Sequence, residues 1–215
     1  TEWLGVPAFA LPNRPRAEGF GEEVTFRPTA KLYAQRALVD ALRILIPGHV
    51  GMVTLIAGLL SIWVIYHQWG MLALVLTLPL ISGVMALAVS LFVIGLKAVV
   101  MGRFEPVVKP LWSMYVWLNE MVNGAYESVM APAIAPLLGT PFIVPLLRLM
   151  GCKIGKHTYI DSTLFSEWDL VEIGDYAALN VGAIIQTHLF EDRVMKSSHL
   201  KIGDECSVGN MSVVR

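Results

Sequence analysis

The chain has 215 residues, of which 55% are hydrophobic and only 15% charged, with a mean hydropathy of +0.62. That balance lies well away from an ordinary soluble composition, and a net charge of −1 leaves no electrostatic case for nucleic acid. Two cysteines, Cys152 and Cys206, supply neither a disulfide framework nor a CxxC motif, which fits a reducing compartment.

Residues 1–28 are rich in Pro, Gly and charge and read as an extended connector. They hold no apolar run of signal-peptide kind, and Pro7, Pro12 and Pro15 break any helix there. The first residue is not Met, so the chain reads as a piece of something longer. Thr29 suits a helix N-cap, and Leu32, Leu38, Val39, Leu42, Leu45 and Ile46 then recur at helical spacing, with Lys31, Arg36 and Arg43 on other faces. An amphipathic helix is expected here, lying at a membrane surface and ended by Pro47-Gly48.

Residues 50–66 and 71–96 contain no charge. The first run is near the lower limit for a membrane span and the second comfortably long, so spans at about 50–67 and 71–97 are expected within a unit covering 29–110. Between them His67-Gln68-Trp69-Gly70 reads as a tight polar turn, with Trp63, Tyr66 and Trp69 as an interfacial aromatic belt. Pro79 is a candidate kink. Arg27, Lys31, Arg36 and Arg43 precede the hairpin and Lys97, Arg103 and Lys109 follow it, whereas the turn has no Lys or Arg, so both flanks are expected to be cytoplasmic. Residues 111–150 carry Pro132, Pro136, Pro141 and Pro145 in an apolar setting. Four prolines free backbone groups that are expensive to leave unpaired in lipid, so this segment reads as interfacial helices and turns.

From 151 to 215 the period changes to six. Ile154 and Ile160 are six apart, as are Ile173, Leu179 and Ile185, and Ile202 and Val208. A glycine or short polar residue follows most of them (Gly155, Asp161, Gly174, Asn180, Gly203, Gly209), and a small residue stands four places on in Thr158, Ala177, Ala183, Cys206 and Ser212. This hexapeptide pattern predicts a parallel β-helix, with aliphatics stacked in one column and the Gly, Asn and Asp positions supplying corner geometry. Cys206, at a small position, is expected to pack in the core. The fold class is therefore a mixed α + β membrane protein: a transmembrane helical hairpin with flanking amphipathic helices, then an incomplete β-helix.

Residues 186–201 interrupt the period and hold the residues most able to do chemistry. His188 suits a general base at neutral pH, and Glu191 or Asp192 could fix its tautomer; equally, His188 could simply cap a coil. Arg193 and Lys196 could meet a phosphate or a carrier-bound group, or be solvated. Asn180 and Asp161 share a corner position, where tolerance of left-handed geometry is the plainer reading. Glu167, Trp168 and Asp169 interrupt the first coil and either line the same cleft or form a solvated corner. No metal-ligand spacing is present.

The stretches GCKIGKHTYIDST, EWDLVEIGDYAALN, IIQTHLFEDRVMK and KIGDECSVG resemble the C-terminal region of ε-poly-lysine synthetase and its relatives, membrane-bound nonribosomal-peptide-synthetase-like proteins. TFRPTAKLYAQRALVDALRIL and the apolar hairpin resemble that region too. The IGD hexapeptides alone resemble the broader left-handed β-helix acyltransferase superfamily. The resemblance implies left-handed coils, against the usual preference for crossovers, and adenylation and carrier domains elsewhere in the parent protein. It also implies a phosphopantetheine-linked aminoacyl or acyl donor rather than a cofactor bound by this segment. By the same resemblance His188 is the base, the β-helix faces the cytoplasm of a bacterial inner membrane crossed more than once, and neighbouring β-helices assemble as a pseudo-trimer or homo-oligomer. Residues 1–28 would include the tail of a preceding β-helix. Asn180, Arg193 and Lys196 are candidates for binding substrate by their own chemistry and position, beyond the resemblance. The competing reading is a non-catalytic anchor and docking scaffold for neighbouring domains or product export.

Overall fold

The computed structural model describes residues 19–215 and, before them, the backbone of two short strands, β1 (Glu2–Leu4) and β2 (Phe9–Leu11), which pair antiparallel. The expected tail of a preceding β-helix lies largely outside the described residues. A 3₁₀ turn at Glu22–Val24 leads into a helix of 71 residues, α1 (Ala30–Val100). Thr29 caps it with extended backbone, its hydroxyl accepting the Leu32 N–H at 3.4 Å, as the sequence predicts. The helix is long and apolar enough to cross a membrane: its most apolar 18-residue window has a mean hydropathy of 2.4 and is only 6% buried.

Two details of this helix differ from the sequence expectation. The leading helix does not stop at Pro47-Gly48 but runs on to residue 69. Pro47 removes one backbone hydrogen bond, yet it is buried, and packing offsets part of that loss. The break falls at Gly70 alone, at φ 79 and ψ −176, a conformation that glycine adopts without Cβ penalty. His67, Gln68 and Trp69 remain helical, and so does Pro79. The arms 30–69 and 71–100 fold back on each other, so that residues 51–62 and 78–89 line one apolar groove.

β3 (Val108–Pro110) follows, then α2 (Met114–Ala125), a single π-helical stretch at Tyr126–Met130, α3 (Ala131–Ile134), a 3₁₀ turn at Ala135–Leu137 and α4 (Ile143–Met150). Helix α2 lies along the leading arm of α1, joined by ion pairs to Glu120 from Arg36 and from Arg43 (3.2 Å), while Arg36 also pairs with Asp40 of its own helix (2.8 Å). The proline-rich segment forms a middle layer: Tyr126, Met130, Ile134, Ile143, Leu147 and Met150 are buried in one cluster with Val93 of α1 and the strand aliphatics.

Apart from one hairpin, the strands after α4 are two or three residues long and pair in parallel with strands far along the chain. β4 (Lys153–Ile154), β6 (Val171–Ile173) and β11 (Leu200–Ile202) align Ile154, Ile173 and Ile202. β5 (Tyr159–Ile160), β7 (Ala178–Leu179) and β12 (Ser207–Val208) align Ile160, Leu179 and Val208. β8 (Ile184–Ile185) pairs with β13 (Val213–Val214), aligning Ile185 and Val214. The aliphatics of the six-residue register are thus the ones in register, and those from Ile154 to Ile202 are buried.

The corner glycines serve another purpose than the one their spacing suggests. Left-handed residues come three places after an aliphatic, at His157, Tyr176, Gly182, Glu205 and Met211, rather than one place after. Gly155 and Gly174 are needed because a Cβ there would collide with the backbone and side chain of Asp175 and Asp204 in the next layer. Those aspartates cap the layer before: Asp175 Oδ1 accepts the Lys156 N–H (2.6 Å) and Asp204 Oδ1 the Asp175 N–H (2.8 Å). Cys206 differs as well. In these 215 residues it is exposed, whereas Cys152 is buried.

Between β8 and β11 the chain leaves the parallel sheets as an antiparallel hairpin, β9 (His188–Glu191) and β10 (Val194–Ser197), with β3 paired on the other side of β10. Its two-residue turn, Asp192-Arg193, has φ 52 and 61, both left-handed, as a turn matched to strand twist requires.

Candidate functional site

Glu167 is the centre of the site. It precedes the 3₁₀ turn at Trp168–Leu170 in the left-handed region, at φ 37 and ψ 61, which aims its side chain inward, and it is 0% exposed. Its carboxylate is met from three directions. Asn119, buried on α2, donates from Nδ2 to Oε1 at 2.7 Å; Thr187 donates from Oγ1 to Oε2 at 2.5 Å; His188 Nδ1 lies 2.8 Å from Oε2. Burial alone would raise its pKa, but the hydrogen bond and charge of His188, then the bonds from Thr187 and Asn119, outweigh it and hold the carboxyl below its ordinary range. Glu167 is therefore an ionised acceptor in the protein interior.

His188 begins β9, opposite Ser197. Its side chain is 19% exposed, with Phe190 edge-on at 5.2 Å. Because Nδ1 is engaged by Glu167, Nε2 is the nitrogen available to the cleft that His188 lines. This cleft, of about 240 Å³, is bordered also by Gln186, Thr187, Lys196, Ser198 and Arg215. A carboxylate on Nδ1 and an accessible Nε2 is the arrangement that fixes one imidazole tautomer and frees the other nitrogen to take a proton.

The structure separates the candidates that the sequence groups together. Lys196 lines the cleft and donates to Glu191 at 3.0 Å. The acid on His188 is thus Glu167, twenty-one residues earlier, while Glu191 bonds Lys196 and Asp192 occupies the hairpin turn. Side chains alternate along β9, so Glu191, three residues on, falls on the face opposite His188. Arg193 is at the turn, with its guanidinium 5.8 Å from the Phe26 ring centroid. Asn180 donates to Val208 O (2.7 Å) and Ser207 Oγ (3.2 Å), tying one layer to the next, and Asp161 accepts from the Tyr159 hydroxyl at 3.1 Å. Asp169, beside Glu167 in sequence, instead pairs with Lys97 at 2.6 Å. Asn119 and Thr187 are the participants that sequence reasoning missed. Thr187 stood next to His188, but nothing local marks Asn119, which is 48 residues from Glu167. Among the described residues no group of three or more His, Cys, Asp or Glu is arranged to hold a metal ion.

With this geometry in place the chain can be set beside known proteins. It is similar to a delta-poly-L-ornithine synthetase of Acinetobacter baumannii (strain AB307-0294), with 34% identity over 213 residues. That alignment takes in 99% of this chain but 16% of the relative, so the chain spans about a sixth of that synthetase. No protein-family model matches the chain, and no solved structure does.

Proposed function

We propose that this chain is the membrane-anchored, amide-forming segment of a nonribosomal-peptide-synthetase-like enzyme, joining a carrier-bound aminoacyl (or acyl) thioester to an amine. The observation that carries the proposal is the buried, ionised Glu167 on His188 Nδ1 at 2.8 Å beside an open cleft. His188 acts as general base. Nε2 accepts the proton of the attacking amine as the C–N bond forms, Glu167 balances the imidazolium, and the proton passes to the departing thiolate as the C–S bond breaks. Lys196 and Arg215 border the cleft and suit the phosphate of a phosphopantetheine arm. The amine acceptor would resemble the basic amino acid in the relative's name, δ-poly-L-ornithine.

The architecture supports the same reading. The parallel pairing of β4, β6 and β11, of β5, β7 and β12, and of β8 with β13 is the pairing that stacked coils of a β-helix need. We read those coils as left-handed by resemblance to the acyltransferase superfamily. The two arms of α1 are read as two crossings of a bacterial inner membrane, with residues 111–150 at its cytoplasmic face and neighbouring β-helices of the parent protein, or of other copies, alongside.

The test uses the full-length parent synthetase in membranes, wild type against His188→Ala, with amino acid, ATP and primed carrier. The expected result is unimpaired carrier loading and a loss of amide formation of about a hundredfold or more. Unchanged product would make this segment a docking scaffold.

A further inference from the structure

Tyr115 begins the face of α2 on which Asn119 stands one turn later. Asn119 donates to Glu167 Oε1, and the negative charges of Glu167 and Glu105 both act on the Tyr115 phenol. Among the described residues the Tyr115 hydroxyl is buried with no hydrogen-bond partner. A buried hydroxyl of that kind is costly and calls for an explanation. Glu167 has the complementary surplus. A carboxylate offers about four acceptor sites; Oε2 uses two, on Thr187 and His188, and Oε1 uses one, on Asn119. One acceptor site remains, on the oxygen that faces α2.

We propose that Tyr115 is a positioning residue for the Glu167–His188 pair, its hydroxyl donating to the remaining site on Glu167 Oε1, after a side-chain rotation or through one bridging water. The inference rests on reading Glu167–His188 as the working pair. Its consequence is chemical. As Nε2 gains a proton, the carboxylate must attract the imidazolium without taking its Nδ1 proton. Each extra donor on Glu167 lowers that carboxylate's basicity, so the proton stays on the imidazole and can be handed to the leaving group. Burial, then the charges of Glu167 and Glu105, raise the pKa of the phenol, so Tyr115 remains a donor across the working range. The other charged groups around the pair are Lys196 with its partner Glu191 on the hairpin, and Arg215 at the cleft.

The experiment compares wild type, Tyr115→Phe and a protein carrying 3-fluorotyrosine at 115, all as full-length synthetase in membranes. It reads the pH profile of kcat and of kcat/KM, together with the imidazole NMR titration of the same proteins in detergent; a His188→Gln variant identifies the His188 signal. Removing the donor makes Glu167 more basic, which favours protonated imidazole. Tyr115→Phe is therefore expected to move the acid limb of kcat, and the His188 signal with it, to higher pH by roughly half a unit to one unit, with KM unchanged. Fluorotyrosine keeps the shape and strengthens the donor, so it is expected to move both the other way, which keeps the test sharp if the phenylalanine variant misfolds. An unmoved His188 signal in the folded variants overturns the proposal. The titration needs no turnover: full activity in His188→Ala would remove the base assignment, while the Tyr115 effect on the imidazole would still be visible.

Discussion

At the residue scale the decisive group is Glu167. An ionised carboxylate at 0% exposure is tolerated only because Asn119, Thr187 and His188 surround it. Glu167→Gln keeps the volume but replaces one acceptor oxygen with an NH2 donor that faces other donors. The expected outcome is a loss of amide formation of at least about tenfold, measured alongside carrier loading to separate chemistry from folding. Stability carries a sign of its own. Because the folded pKa of Glu167 is lowered, its contribution is fully present above the ordinary carboxylate range and disappears as pH falls through the lowered folded value. Denaturant midpoints taken between neutral and acid pH should therefore drop more steeply for wild type than for Glu167→Gln; parallel curves would show that the carboxylate is not held ionised.

At the element scale, the second arm of α1 is fastened to the strand region by one buried ion pair. Lys97 and Asp169 are 2.6 Å apart, with side chains 8% and 10% exposed. Lys97 also donates to Gly102 O at 3.1 Å, and Asp169 accepts the Phe104 N–H at 3.0 Å. Removing one partner strands the other charge, so Lys97→Met is expected to cost about 3–5 kcal/mol, whereas Lys97→Met with Asp169→Leu should recover much of that loss in denaturant unfolding. Gly151 belongs to the same joint: its φ is 120, and a Cβ there would run into Asp169. Gly151→Ala should therefore destabilise the protein, and without Asp169 the penalty should shrink to the backbone strain alone.

At the scale of the whole molecule, membrane orientation can be read with the protein's own thiols. Cys206 is exposed and Cys152 buried; burial above all, with the nearby Asp169 charge, pushes the Cys152 thiol well above its ordinary range, which makes it inert. With the 215-residue chain in membrane vesicles, an impermeant maleimide is expected to label Cys206 in inverted vesicles and not in right-side-out ones, with Cys206→Ser removing the signal. Labelling in right-side-out vesicles would reverse the orientation that the Lys and Arg distribution predicts.

What the sequence determined by itself follows from local spacing and composition. Thr29 begins α1, the uncharged runs are helical, and the six-residue register of Ile154, Ile160, Ile173, Leu179 and Ile202 marks the aliphatics that align and bury. Each depends on near neighbours or on a repeating period. The tertiary structure decided the rest. It carried the leading helix through Pro47, placed left-handed corners at His157, Tyr176 and Glu205, and used Gly155 and Gly174 for close approach between layers. Above all it chose Glu167 over Glu191 as the acid on His188. The layers bring residues 21 apart into contact, and α2 adds Asn119 from a distant part of the chain. A carboxylate three residues away along a strand is close in sequence yet turned by the hairpin toward another partner, Lys196, and only the stacking of the layers determines which acid the imidazole meets.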